Sequence, residues 1–211
     1  TELKAWVNVV NDTFNLNDTA SSSFNVCMSG AYSISAINGD YTTINNAMNA
    51  LYANGICGPV VLNIDSGIYN EQVIIYPING TDTTNTITIQ SIQQDSSTVS
   101  IQHITSSTSN HVVWIKGASN IIIKHLGIKA IGGQYGNVIK LSDGSENIKI
   151  SNNSIESSFT TMTQSQASGI SISNENVENL EIDHNYFLNG HKVISLNGIS
   201  ANNINKVMIT N

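Results

Sequence analysis

Asn120-Ile-Ile-Ile-Lys-His-Leu-Gly-Ile128 is followed by Asn147-Ile-Lys-Ile-Ser-Asn-Asn-Ser-Ile155 and then by Asn179-Leu-Glu-Ile-Asp-His-Asn-Tyr-Phe187. A fourth copy opens with Asn205-Lys-Val-Met-Ile-Thr-Asn211. The starts recur at roughly 26 to 32 residues, the range in which internal repeats stack. Apolar and polar residues alternate inside each copy, which is the period of a strand and not of a helix. Working backwards, an alternating pair precedes each copy: Val113/Ile115, Ile139/Leu141, Ile170/Ile172 and Ile194/Leu196. Working forwards, a third short strand begins around Ile128, Ile155 and Phe187.

Three strands per unit of about 26 residues predict an all-β fold, a right-handed parallel β-helix whose coils lie ~4.8 Å apart around a narrow apolar core. A left-handed β-helix would need a hexapeptide repeat. A β-sandwich, the second choice, would show turns every 8–12 residues without a three-strand period. One helix is expected at about 41–54. Asp40 or Thr42 is its N-cap candidate, Ile44, Ala47, Met48 and Leu51 share a face, and Gly55 stops it. It has the right size to cap one end of the stack. Residues 1–36 read as a β-like lead-in or linker, and 37–211 as the β-helix domain. The chain starts at Thr1 and stops inside a repeat with its last coil uncapped, so it is expected to belong to a larger protein.

Aligning the copies sorts the polar residues into columns. Leu126, Asn153 and Asn185 share a position where an inward amide can bond the backbone above and below it, so Asn153 and Asn185 are expected to form a short structural ladder that Leu126 interrupts. The next columns should face outward: Lys124, Ser151 and Asp183, with His125, Asn152 and His184 beside them. Lys124, His125, Asn152, Asp183 and His184 are therefore candidate sugar-binding residues, and solvated turn residues are the plainer alternative. Two histidines separated by a coil would stand ~10 Å apart, too far to share a zinc ion, so neither a metal nor a cofactor is expected. Trp114, Tyr135, Tyr186 and Phe159 are candidate stacking platforms for sugars. Trp114 should face outward because Val113 and Ile115 take the inward positions, whereas Phe187 belongs to the core.

Charged residues make up 11% of the chain, less than half of the usual ~25%, and Asn alone is about one residue in seven. Frequent Ile and Val argue against disorder. The net charge is −7, with eight lysines and no arginine. No basic stripe exists to displace counterions from phosphates, which argues against nucleic-acid binding. No run of ~18 apolar residues exists to span a membrane. Cys27 and Cys57 flank the expected helix. An even cysteine count in a secreted-looking chain reads as a disulfide, worth about 3 kcal/mol for a loop of this length in the chain-entropy model. Two unrelated buried thiols are the alternative.

The stretch Gly39-Asp40-Tyr-Thr-Thr-Ile44…Ala47…Leu51, followed by Gly58-Pro-Val-Val-Leu-Asn-Ile…Gly67-Ile-Tyr-Asn-Glu71, resembles the start of the parallel β-helix superfamily of pectate lyases, pectin methylesterases and polygalacturonases. The surroundings of Cys27-Met-Ser-Gly30…Tyr32 and Cys57-Gly-Pro59, with Asn79-Gly-Thr…Asn85-Thr-Ile-Thr-Ile-Gln90, look more narrowly like large secreted surface proteins of Bacteroidetes. That resemblance implies an extracellular or cell-surface location, type IX secretion and, for some members, adhesion. Asp18-Thr19-Ala20 resembles the O-glycosylation signal of those bacteria.

The superfamily's activities find little support in the residues. Its lyases use Arg or Lys with calcium held by several Asp, and its methylesterases use two Asp and an Arg; this chain has no Arg and no Asp cluster. Glycoside hydrolysis needs paired carboxylates, yet Asp183 stands in a column with Lys124 and Ser151. Gly190-His191-Lys192 shares two residues with the Gly-His-Gly of polygalacturonases but lacks the Asp pair upstream. No catalytic residue is therefore assigned. The expected role is a non-catalytic module that contacts polysaccharide or another surface or secretion-system protein. Part of a polysaccharide-degrading enzyme, and an assembly element joined to a partner chain, are the alternatives.

Overall fold

A computed structural model describes residues 2–6, 19–23, 26–159, 166–173, 176–197 and 204–210. Most of the linker-like run before Thr19, including Asp18 of the glycosylation-like triplet, lies outside the described residues, as does Asn211. Strands β1 (Glu2–Trp6) and β2 (Thr19–Ser23) pair antiparallel. β3 (Met28–Ile34) precedes helix α1 (Ile44–Asn54). Strands then come in threes: β4 (Ile56–Ile64), β5 (Gly67–Asn70) and β6 (Val73–Ile75); β7 (Ile87–Ser91), β8 (Val99–Ile104) and β9 (His111–Lys116); β10 (Ser119–Lys124), β11 (Gly127–Ile131) and β12 (Asn137–Ser142). β13 (Ser145–Ser151), β14 (Ser154–Glu156), β15 (Ser168–Ser173), β16 (Val177–Asp183), β17 (Tyr186–Leu188), β18 (Lys192–Asn197) and β19 (Ile204–Thr210) continue the series.

Every third strand pairs in parallel with its counterpart one coil away. The three resulting sheets run β3-β4-β7-β10-β13-β16-β19, β5-β8-β11-β14-β17 and β6-β9-β12-β15-β18. The fold is a right-handed parallel β-helix. Register puts like on like: Leu62, Ile89, Ile123, Ile150 and Ile182 form one inward column. Ile75, Ile115, Leu141, Ile172 and Leu196 form another. Tyr69, Ile101, Ile128, Ile155 and Phe187 form a third. Alternation along a strand sends every second side chain into this core.

α1 buries Ile44, Ala47, Met48 and Leu51 and packs against β3, β4 and β6. Its N-cap is Thr43, whose hydroxyl accepts the Asn46 N–H at 3.1 Å. The two expected caps do other work. Asp40 accepts the Ser33 N–H and hydroxyl at 2.7 and 2.8 Å, and Thr42 Oγ1 accepts the Asn46 side-chain amide. The helix thus begins at Ile44 and not near residue 41. β3 lies within the stretch read as lead-in, yet it pairs with β4, so the parallel stack already includes it. The Cys27–Cys57 disulfide, with an S–S distance of 2.03 Å, ties the chain before β3 to β4.

The fourth repeat copy is offset by one from its sequence alignment. Leu180 pairs with Val207, which sets Asn205 opposite Glu178 and leaves Lys206 as the counterpart of Asn179. The shared requirement is backbone conformation: Asn120, Asn147, Asn179 and Lys206 all have φ between 50° and 62°. Asn adopts this left-handed region more readily than most residues. The side chains also link: Asn147 Nδ2 donates to Asn120 Oδ1 at 3.2 Å, and Asn179 Nδ2 donates to Asn147 Oδ1 at 2.9 Å.

Candidate functional site

The column of His125, Asn152 and His184 sits where the long sheet turns towards the β11-β14-β17 sheet. All three residues have positive φ, 56°, 55° and 47°. Their backbone N–H groups donate to Ser151, Asp183 and Thr210 carbonyls one coil on. The turn's backbone therefore accounts for these residue types. Lys124, Ser151 and Asp183 do form a row in register, but Ser151 is buried, which breaks the row as a surface. Asp183 accepts hydrogen bonds from the Thr210 hydroxyl and from His184 Nδ1, the latter at 2.6 Å, and these hold its carboxyl below the usual range. Burial, with Lys124 beside it, lowers the pKa of His125.

The amides inside the same turns join the coils. Asn153 Oδ1 accepts the Leu126 N–H at 3.0 Å, and its Nδ2 donates to the Ile123 carbonyl at 2.9 Å. Asn185 repeats this one coil on, accepting from the Asn153 N–H at 3.0 Å and donating to the Ile150 carbonyl at 2.8 Å. The two amides bond directly at 3.0 Å. Leu126, buried in the same column, ends the ladder.

A groove of about 540 Å³ lies elsewhere, on the outer face of β9, β12, β15 and β18. Here outward residues of successive coils come into register. Trp114, Lys140, Ser171 and Ser195 form one row across the four strands. Lys116 stands opposite Ser142, and Ser168 donates to Asn137 Oδ1 at 2.6 Å. Lys192 lies opposite Ser168 and also lines the groove. Asp143 is the one carboxylate of the lining among the described residues. The rest of the lining offers hydroxyls, amides, ammonium groups and an indole, which supply hydrogen-bond donors and acceptors.

Trp114 faces outward and is half-buried, but its ring is not bare. Lys140 Nζ lies 4.1 Å and Lys116 Nζ 4.6 Å from its centroid, and the Lys116 ammonium also lies 5.9 Å from the Tyr76 ring. The indole holds cations. His111, opposite Asn137, meets Trp114 edge-on at 4.9 Å and is 5% exposed. Its burial, with Lys140 and His103 nearby, pushes its pKa down to about 4. The other aromatic candidates are not gathered here. Tyr135 sits in the turn between β11 and β12, Tyr186 is exposed on β17, and Phe159 is exposed after β14. Lys116, Lys140 and Lys192 escaped the sequence reading, although the alternation Trp114-Ile115-Lys116 and Lys140-Leu141-Ser142 carried the signal.

No family model matches the chain, and no curated protein matches it. Two solved structures of the pectin methylesterase from Aspergillus niger, one deglycosylated and one penultimately deglycosylated, match with TM-scores of 0.50 at 14% and 15% sequence identity. Each match covers 90% of this chain and 60% of the other, so the chain spans about three fifths of their length. Pectin methylesterase PemA from Erwinia chrysanthemi matches with a TM-score of 0.38 at 14% identity, over 79% of this chain and 55% of that one. At such identities the likeness is one of fold.

Proposed function

We propose that this chain is a non-catalytic, extracellular β-helix module that holds polysaccharide against the face of β9, β12, β15 and β18, within a secreted or surface-displayed protein. The groove carries this reading: it is elongated across four coils and offers hydrogen-bonding groups from each of them. A fold of this kind supplies a rigid sheet, and function follows from the side chains placed on it. The disulfide favours an oxidising compartment. Among the described residues, no helix is long and apolar enough to cross a membrane.

Affinity electrophoresis through gels cast with a panel of acidic and neutral polysaccharides tests the proposal. The chain is expected to be retarded by at least one of them. Ser171→Trp, which fills the middle of the groove from an outward position, is expected to abolish that retardation at unchanged melting temperature. Passage through every gel without retardation would reject the binding role. Steady release of product from the bound polysaccharide would reject the non-catalytic role.

A further inference from the structure

Trp114 is fixed from several directions. Its Nε1–H donates to Ser142 Oγ at 2.8 Å, and that hydroxyl donates to Asp143 Oδ2 at 3.1 Å. His111 packs against it edge-on. The ring so held lies under two ammonium groups, whose centroid distances of 4.1 and 4.6 Å bound their nitrogens to within 8.7 Å of each other. Two like charges this close repel. Neither forms an ion pair with a carboxylate among the described residues, where Lys129 pairs with Glu156 and Lys149 with Glu181. Lys192 adds a third cation to the same groove, against the one carboxylate of Asp143, so cations outnumber anions in the lining. The chain as a whole carries −7, so the charge of this groove is opposite in sign to that of the molecule, an arrangement that draws anions to one place.

We propose that Trp114 is a positioning residue that gathers Lys116 and Lys140 into a two-point clamp for an oxyanion on a glycan, the carboxylate of a uronic acid or a sulfate ester. The clamp rests on the polysaccharide reading above and narrows it: the groove selects acidic chains. The indole supplies attraction to both ammonium groups and limits their rotamers, so less side-chain freedom is lost when the anion arrives. The anion in turn relieves the repulsion between the two cations. Ser142 and Asp143 act through the ring by holding its plane.

The experiment follows Trp114 fluorescence in a Trp6→Phe background during titration with an oligogalacturonate, a sulfated oligosaccharide, a neutral cello-oligosaccharide and inorganic sulfate. The expected result is a saturable change with at least one acidic oligosaccharide, weakened by added salt, and none with the neutral one. Lys116→Ala and Lys140→Ala should each weaken acidic binding about tenfold, the scale of one charge-assisted hydrogen bond. Read by isothermal titration calorimetry, since these variants have no indole to follow, Trp114→Leu should weaken it to a similar degree although it removes no charge, and Trp114→Phe should recover part of the loss. The double variant of Trp114→Leu with Lys140→Ala should fall short of the product of the single effects, because the residues act as one unit. Which acidic oligosaccharide responds separates carboxylate from sulfate ester. Equal binding of neutral and acidic chains, or wild-type acidic binding by both lysine variants, would overturn the clamp while leaving the polysaccharide role intact. A response to inorganic sulfate with no binding of any glycan would keep the clamp and reject the polysaccharide role.

Discussion

Glu71 Oε2 accepts both the backbone N–H and the side-chain amide of Asn45, at 2.9 and 2.7 Å, across 26 residues of chain. Its second oxygen accepts the Ile44 N–H at 3.0 Å. A carboxylate from the first coil therefore satisfies the open N–H groups at the start of α1, where the helix dipole also favours negative charge. Glu71→Ala is expected to lower stability by about 1–2 kcal/mol, and Glu71→Gln by less, measured by urea unfolding. An unchanged midpoint for Glu71→Ala would show that the cap is held without it.

Asn153 is buried and satisfies groups in both neighbouring coils. Asn153→Ala leaves the Leu126 N–H without its side-chain acceptor in the interior and removes one donor from the Ile123 carbonyl. The expected loss is about 2–4 kcal/mol, well above that of Asn152→Ala next to it, where the side chain is exposed. Equal losses at the two positions in chemical denaturation would refute the structural account of the ladder.

His111 sets a pH dependence of known sign. Its folded pKa, about 4, lies below the ordinary 6.5. Between these values the unfolded chain binds a proton that the folded chain does not, so stability declines as pH falls from 6.5 towards 4 and levels off below. The burial-dominated downward shifts of His103 and His125 act in the same direction. Asp40 and Asp183 are lowered carboxylates; their contributions are present above 3.8 and fade only at more acid pH. His111→Phe is expected to remove a share of the decline on the order of 3 kcal/mol. If the variant and the parent lose stability in parallel between pH 6.5 and 4, the assignment to His111 is wrong.

Lys206 occupies the left-handed position that Asn fills in the other coils. Lys206→Asn should raise stability by about 0.5–1 kcal/mol, while Asn205→Ala should be close to neutral. Differential scanning calorimetry of the two variants checks the offset; the reverse ranking would restore the alignment read from sequence.

That offset shows where sequence reading stopped. The inward columns were legible because alternation at Val113/Ile115, Ile139/Leu141, Ile170/Ile172 and Ile194/Leu196 repeats at a strand's period. Asn205 resembled its predecessors by residue type, but the constraint on that position is a backbone angle, and an angle leaves only a weak trace in residue choice. The column of His125, Asn152 and His184 is governed by the same kind of angle, since all three have positive φ. The groove depends on which outward residues meet across coils. Lys140 reaches Trp114 from the following coil, a neighbour invisible until the pairing is laid down.

The registered rows have a consequence for how such a surface can change over generations. Residues such as Ser171 and Ser195 carry neither core packing nor turn geometry, so they can drift freely while the architecture stands still. Duplication of one coil would lengthen the groove by a single strand spacing, about 4.8 Å. The reach of the surface is thus quantised: it grows in whole coils, and each new coil brings its own blank row on which specificity can be written.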